Sequence, residues 1–224
     1  MQIDEIFEAD KRIKKKKRTT PLLNSPFLDE IADRQIFIKA ECLQHTGSFK
    51  FRGAYSAISS IPIEKRKKGV IAYSSGNHAQ GVAFAAKIHK IPATIIMPED
   101  APEIKINNTK DLGAEVILYD RLSENREKIG QKISEERLLS LIPPYDHNDV
   151  IAGQGTIGLE IASQAEQIGI GKADVLVCCG GGGLTSGIAV ALSTLMPDFV
   201  TRPVEPEGFD LSLIHISEPT RLPG

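Results

Sequence analysis

Val70-Ile-Ala-Tyr-Ser-Ser-Gly-Asn-His-Ala-Gln-Gly-Val-Ala-Phe-Ala-Ala-Lys-Ile-His89 contains a strand, a turn and a helix in immediate succession. Val70 to Tyr73 is a short apolar run of strand type, and His78 to His89 repeats alanine and larger apolar residues at helical spacing. The polar, glycine-containing turn between them leaves the carboxyl end of the strand. In an open α/β sheet, turns in that position face the crevice where ligands bind.

The same rhythm continues outward from this unit. Ala93 to Met97 reads as strand, Glu103 to Leu112 as helix stopped by Gly113, and Glu115 to Tyr119 as strand. A long charged helix over Ser123 to Leu139 follows, then a strand from Leu139 to Ile142 that Pro143-Pro144 ends. Short apolar strands alternating with helices predict a parallel sheet covered on both faces. The Pro-Pro pair is the expected hinge. Downstream, Gly155 to Ile168 reads as helix, Asp174 to Cys179 as strand, Leu184 to Leu195 as helix and Phe199 to Val204 as strand. Upstream, Thr20 to Ser25 reads as an extended turn, Gln35 to Ala40 as a strand and Glu64 to Lys68 as a surface loop. The expected fold class is therefore α/β, with two parallel-sheet, three-layer domains. A discontinuous large domain takes residues 1–69 and 151–210, and a small domain takes 70–145.

Before the first unit lies His45-Thr-Gly-Ser-Phe-Lys-Phe-Arg-Gly-Ala-Tyr55. Ala54, Ala57, Ile58 and Ile61 recur at three and four, which puts Lys50 in the first turn of a helix. Phe49 and Phe51 flank it. Partial desolvation by these rings favours the neutral amine and makes it a nucleophile. The stretch alone equally accommodates a snorkelling lysine on an amphipathic helix.

Gly180-Gly-Gly-Gly-Leu184 sits between an expected strand and an expected helix. Converging N–H groups at a helix N-terminus hold a phosphate, and glycines let the oxygens approach the backbone. Such a run also fits a permissive turn at a close helix–strand contact. Two nucleotide motifs are excluded by inspection: Thr185 and Ser186 break a G-x-G-x-x-G pattern, and Gly187 is followed by Ile188 rather than by the lysine of a P-loop.

Bulk properties narrow the classes further. Across 224 residues the net charge is -2, and 41% of residues are hydrophobic. The sequence pI is near 6.2. Such a balance supplies no field toward nucleic acid or membrane. Tryptophan is absent, which argues against stacking platforms for single-stranded nucleic acid. No apolar run reaches the roughly eighteen residues of a bilayer span, and the N-terminus lacks the apolar core of a signal peptide. Cys42, Cys178 and Cys179 form neither a disulfide framework nor a metal-ligand spacing, so a reduced, cytoplasmic protein is expected. Lys11 to Arg18 holds seven basic residues in eight. A solvated helix end is the preferred reading, with a polyanion-binding arm as the other.

Taken together, Ser48-Phe-Lys-Phe-Arg-Gly53, Ser74-Ser-Gly-Asn-His-Ala-Gln80 and Gly180-Gly-Gly-Gly-Leu184 resemble the fold-type II pyridoxal-phosphate enzymes, in the threonine/serine dehydratase and serine racemase branch. The resemblance runs from about Thr20 to Asp210 and implies a tryptophan synthase β-like architecture. It implies that Lys50 joins the aldehyde of pyridoxal 5'-phosphate, that Phe49 and Asn77 contact the cofactor, and that Gly180, Gly181, Gly182, Gly183 and Leu184 hold its phosphate. Ser75 is implied as a second catalytic residue that exchanges a proton on the face opposite Lys50. The substrate carboxylate is expected on the turn of Ser75, Gly76, Asn77 and His78, with Arg126 as a weaker candidate. The implied reaction is loss of water and then ammonia from a serine- or threonine-type β-hydroxy amino acid. Serine racemase and 3-hydroxyaspartate dehydratase are the alternatives within the fold. Outside it stand a non-catalytic phospholigand-binding module and an inactive fragment.

The racemase-like branch implies a divalent cation site at the position of Glu205, a candidate ligand for Mg²⁺ or Ca²⁺. A homodimer or homotetramer is the implied assembly. Leu211 to Gly224 departs from the family pattern and reads as translated adaptor-like, non-native sequence, which leaves the large domain incomplete.

Overall fold

The structure, a computed structural model, describes residues 1–207. In chain order it contains α1 (Ile3–Ile13), β1 (Leu22–Asn24), α2 (Pro26–Ala32), β2 (Phe37–Lys39), α3 (Lys50–Ser60) and the short α4 (Ile63–Arg66). Then come β3 (Val70–Tyr73), α5 (Asn77–His89), β4 (Ala93–Pro98), α6 (Glu103–Asp111), β5 (Glu115–Tyr119), α7 (Arg126–Arg137) and β6 (Ser140–Leu141). The described chain ends with α8 (Asn148–Gln167), β7 (Ala173–Cys178), α9 (Gly183–Leu195) and β8 (Phe199–Val204). The expected non-native tail over 211–224 lies outside the described residues, as do the last three positions assigned to the large domain.

Strands β5, β4, β3 and β6 form one parallel sheet in that order. Period-two alternation sorts its side chains between two helical layers. Val70, Ala72, Ile95 and Met97 share a core with Val82, Ala83 and Ala86 of α5. Ile71, Ile96 and Tyr119 pack instead with Ile129 and Ile133 of α7. Three layers result. The second parallel sheet pairs β7 with β8. Its Val177 and Phe199 pack on Ile157 and Ile161 of α8 and Ile188 and Leu192 of α9. Leu176 points to the other face of the sheet and is 70% exposed among the described residues.

Local expectations hold for most of the strand–helix series and fail in instructive places. Thr20 to Ser25, read as a turn, contributes β1, which pairs antiparallel with β2 apart from both parallel sheets. Residues Glu64 to Lys68, read as a loop, fall largely within α4. Helix α8 starts at Asn148 rather than Gly155. Its Gly153, Gly155 and Gly158 weaken helix propensity, but the packing needs at least the first of them. A Cβ on Gly153 would lie 2.7 Å from the carbonyl oxygen of Arg52 and from Cα of Gly53. Only glycine lets α8 approach α3 this closely.

That contact is stabilised by a buried charge network. Arg52 is fully buried. Its Nε and Nη2 donate to Glu41 at 2.8 and 2.7 Å, and Nη1 and Nη2 donate to Glu160 at 2.8 and 3.0 Å. Lys17 and Lys39 each add a 2.6 Å bond to Glu160. Burial alone would raise the Glu160 pKa, but the hydrogen bonds and charge of Arg52, aided by Lys17 and Lys39, outweigh it and lower the value to about 2.

The basic run is accordingly not simply a solvated helix end. Arg12 donates to Asp149 at 2.9 Å and to Ser56 at 3.1 Å. Lys17 also pairs with Asp10 at 2.8 Å, and Arg18 donates to the Leu43 carbonyl at 3.1 Å. Buried and half-buried carboxylates, one of them 143 positions away, recruit Arg12 and Lys17, and no local charge pattern reveals that.

Candidate active site

Lys50 is the first residue of α3, preceded by Phe49 in the cap position. Its Nζ donates a 2.7 Å hydrogen bond to the carbonyl oxygen of Pro144. The same nitrogen lies 5.3 Å from the centre of the Phe49 ring. Burial lowers its pKa, because an ammonium loses more hydration than a neutral amine. The two flanking aromatics do not share this task. Phe51 is fully buried and faces the core, where its ring meets those of His45, Tyr55 and Phe84. Successive helical residues point about 100° apart, so one position beyond Lys50 suffices to separate them.

The glycine run links β7 to α9, with Gly182 in the left-handed region at φ +78° and Gly183 as the first helical residue. N–H groups at this end have no acceptor within the helix and point outward. Gly181 is packed under the ring of Tyr145, and a Cβ there would collide with Cγ of that ring. Around Gly180, by contrast, the space a Cβ would take is open.

Lys50 and the glycine loop line one cavity of about 280 Å³, together with Phe49, Leu184, Tyr145 and Gln154. Every residue expected to hold the aldehyde or the phosphate of the cofactor, from Lys50 and Phe49 to Gly180, Gly181, Gly182, Gly183 and Leu184, is therefore found at this cavity. Two further polar side chains line it, Gln154 and Thr185. The Gln154 amide and the Thr185 hydroxyl are buried without a hydrogen-bond partner. A half-buried amine, free helix-terminal N–H groups and unsatisfied donors fit a ligand that carries both an aldehyde and a phosphate.

The remaining expected residues lie on or near the β3–α5 turn. Ser75 is exposed and lines a separate cavity of about 360 Å³ with Tyr119, Arg121 and Arg126. Glu124 and Glu127 line it too, so its charges are balanced. Arg126 opens α7 and, although exposed, has its guanidinium 5.4 Å from the Tyr73 ring centre rather than simply extended into solvent. Gly76 and Asn77 line neither cavity. Gly76 is the N-cap of α5 and Asn77 its first helical residue, so the capping alternative for Asn77 passes to its neighbour.

His78 is almost completely buried, with Nε2 2.9 Å from the carbonyl oxygen of Ile142. Burial first, and the nearby Lys50 charge last, lower its pKa to about 4, and the ring is neutral at pH 7. Its side chain is structural; only its backbone belongs to the turn. Glu205 follows β8. Among the described residues no group of three or more His, Cys, Asp or Glu side chains is positioned to hold a metal ion.

Sequence reasoning missed Tyr145, Gln154 and Thr185. The Pro143–Pro144 pair was a usable signal, since it forces an extended segment against the motif lysine. Gln154 gives none, because a glutamine within a helix usually faces water.

Residues 13–214 match the family model described as "Pyridoxal-phosphate dependent enzyme". The chain belongs to that family. It is 47% identical to the L-threo-3-hydroxyaspartate ammonia-lyase of Saccharomyces cerevisiae over 224 residues, covering 96% of this chain and 67% of that protein. Identity to the serine racemase of Schizosaccharomyces pombe is 46%, covering 96% and 68%. The structure of maize serine racemase superposes with a TM-score of 0.88 at 39% identity, covering 93% of this chain and 62% of that one. The chain thus spans about two-thirds of these relatives. The α/β, fold-type II architecture expected from the three motifs is the one its structural neighbours share.

Proposed function

We propose that the protein is a pyridoxal-phosphate-dependent ammonia-lyase that converts serine- or threonine-type β-hydroxy amino acids to a 2-oxo acid and ammonia. The observation that carries this reading is the common cavity of Lys50 and the Gly180–Gly183 loop. Names of relatives, ammonia-lyases and serine racemases, support it.

When bound, pyridoxal phosphate supplies an electron sink for the pair left at the substrate α-carbon. The chain contributes the rest. Glycine-loop N–H groups and Leu184 fix the phosphate, and Phe49 limits water around the amine. Lys50, whose pKa is lowered by burial, holds and releases the α-proton at Nζ. Asn77 is assigned to the cofactor ring oxygen, and the N–H groups of Ser75 to His78 to the substrate carboxylate. Ser75 carries the proton on the opposite face.

A second reading within the fold, racemisation of serine or dehydration of 3-hydroxyaspartate, is favoured by one observation. Ser75 and Arg126 line the same cavity. A hydroxyl there serves the second proton transfer, and a guanidinium matches a β-carboxylate. Chiral analysis of the products from L-serine, with 3-hydroxyaspartate as a competing substrate, separates the readings.

Glu205 is retained as one ligand of an Mg²⁺ or Ca²⁺ site, which needs roughly six or more oxygens in all. A homodimer or homotetramer is the proposed assembly, supported by Phe27 and Ile31, both exposed on α2. Residues 70–145 form the proposed small domain, supported by the closed set of β3 to β6 in one sheet. A cytoplasmic location is supported by three free cysteines, and no helix among the described residues is long and apolar enough to cross a membrane.

A further inference from the structure

Gln154 is 1% exposed, and neither its Oε1 nor its Nε2 has a hydrogen-bond partner. A buried amide left unsatisfied is unfavourable unless something else completes it. Its position is fixed. The amide packs against α3, so close that a Cβ on Gly53 would be 2.5 Å from Nε2. On its open side it lines the cavity that holds Lys50 and the glycine loop. Thr185, in the first turn of α9, brings a second buried and unpartnered donor to the same cavity. Two independent unsatisfied groups at one cavity point to a polar ligand group that accepts hydrogen bonds.

We propose that Gln154 is a cofactor-positioning residue whose Nε2–H donates to the phosphate of pyridoxal phosphate from beneath the glycine loop. This rests on the cofactor assignment above. Backbone N–H groups hold the phosphate from the loop side, and the Gln154 amide meets it from α8, with the Thr185 hydroxyl beside it. The phosphate is thereby fixed to the helix that also carries Glu160, and so to the network that anchors α3 and Lys50. Gly53 is required for the same reason, since any side chain there would displace the amide.

Gln154→Met keeps the length of the side chain and removes its donor. The apo chain and this variant are titrated with pyridoxal phosphate and with pyridoxal, which has the aldehyde but no phosphate, and adducts are followed by absorbance after borohydride trapping. The expected result is a loss of about tenfold or more in affinity for pyridoxal phosphate, the scale of one hydrogen bond to a charged group, with pyridoxal affinity within about twofold of wild type on the same basis. Inorganic phosphate is expected to raise the thermal midpoint of the apo wild type and not that of the variant. The apo midpoint of the variant should be no lower than wild type, because an unsatisfied buried amide has been removed.

An unchanged ratio of the two affinities, or equal losses of both with a lowered midpoint, overturns the proposal in favour of a packing role. If the variant does not fold, Gln154→Glu serves instead: a carboxylate there must weaken pyridoxal phosphate selectively, and failure to do so is equally fatal. A wild-type chain that forms no adduct with either aldehyde rejects the cofactor assignment itself, an outcome distinct from the others.

Discussion

Nζ of Lys50 donates to the carbonyl oxygen of Pro144 across 94 positions of sequence, and this bond ties the start of α3 to the loop before α8. Tyr145, the next residue, lies against Gly181. One short segment therefore touches both the amine and the glycine loop. Gly181→Ala would drive a methyl group into the Tyr145 ring and displace one or the other. A loss of roughly tenfold in cofactor affinity is expected, the free energy of one misplaced charge-assisted hydrogen bond. Absorbance titration of the apo variant measures it.

Arg52 and Glu160 form the centre of a buried network, and removing one partner strands the other charge. Arg52→Leu is expected to destabilise the fold by about 3–5 kcal/mol, the range for breaking a buried pair. Denaturant midpoints at neutral pH give the figure directly, and a change under 1 kcal/mol would contradict this assignment.

Glu160 also sets a pH dependence. Its folded pKa, about 2, is depressed below the ordinary carboxylate value of 4.5. The stabilisation is fully present above pH 4.5 and is lost as pH falls toward 2. His78 acts earlier. Its folded pKa, about 4, lies below the ordinary 6.5, so the unfolded chain binds the proton first. Stability must therefore begin to fall as pH drops below 6.5, by up to about 3 kcal/mol at pH 4 for this one buried group. Urea unfolding at pH 7.5, 5.5 and 4.5 checks the slope, and a His78→Gln variant that still folds should lose part of it between 6.5 and 4.

Gly153→Ala places a methyl group 2.7 Å from the backbone of α3. Helices α3 and α8 must part, at about 1–3 kcal/mol for overpacking of this kind. A thermal midpoint equal to wild type would show that the two helices yield freely.

Ser75→Ala tests the balance of outcomes. Racemisation of L-serine should fall at least about tenfold while ammonia release is retained, because only the second proton transfer loses its donor. Equal losses in both would remove Ser75 from that role.

The strand–helix series from Val70 to Arg137 was legible because each element carries its own period and each turn its own breaker. Lys50, the glycine loop and the Ser75 turn were legible as motifs, and the first two do meet at one cavity. What stayed hidden depends on pairs far apart in sequence. Arg52 and Glu160 are 108 positions apart, and nothing local marks either as buried. The early start of α8 was hidden by its glycines, which lower helix propensity locally and allow close packing globally. Phe51 was misread because adjacency in sequence is not adjacency on a helix.

The central claim is that the amine of Lys50 and the glycine loop together hold one pyridoxal phosphate. Borohydride reduction of the chain after cofactor addition, followed by peptide mapping, tests this most directly. The expected result is a single labelled peptide carrying the reduced cofactor on Lys50, absent in Lys50→Ala. Label spread over surface lysines, or undiminished in Lys50→Ala, would contradict it.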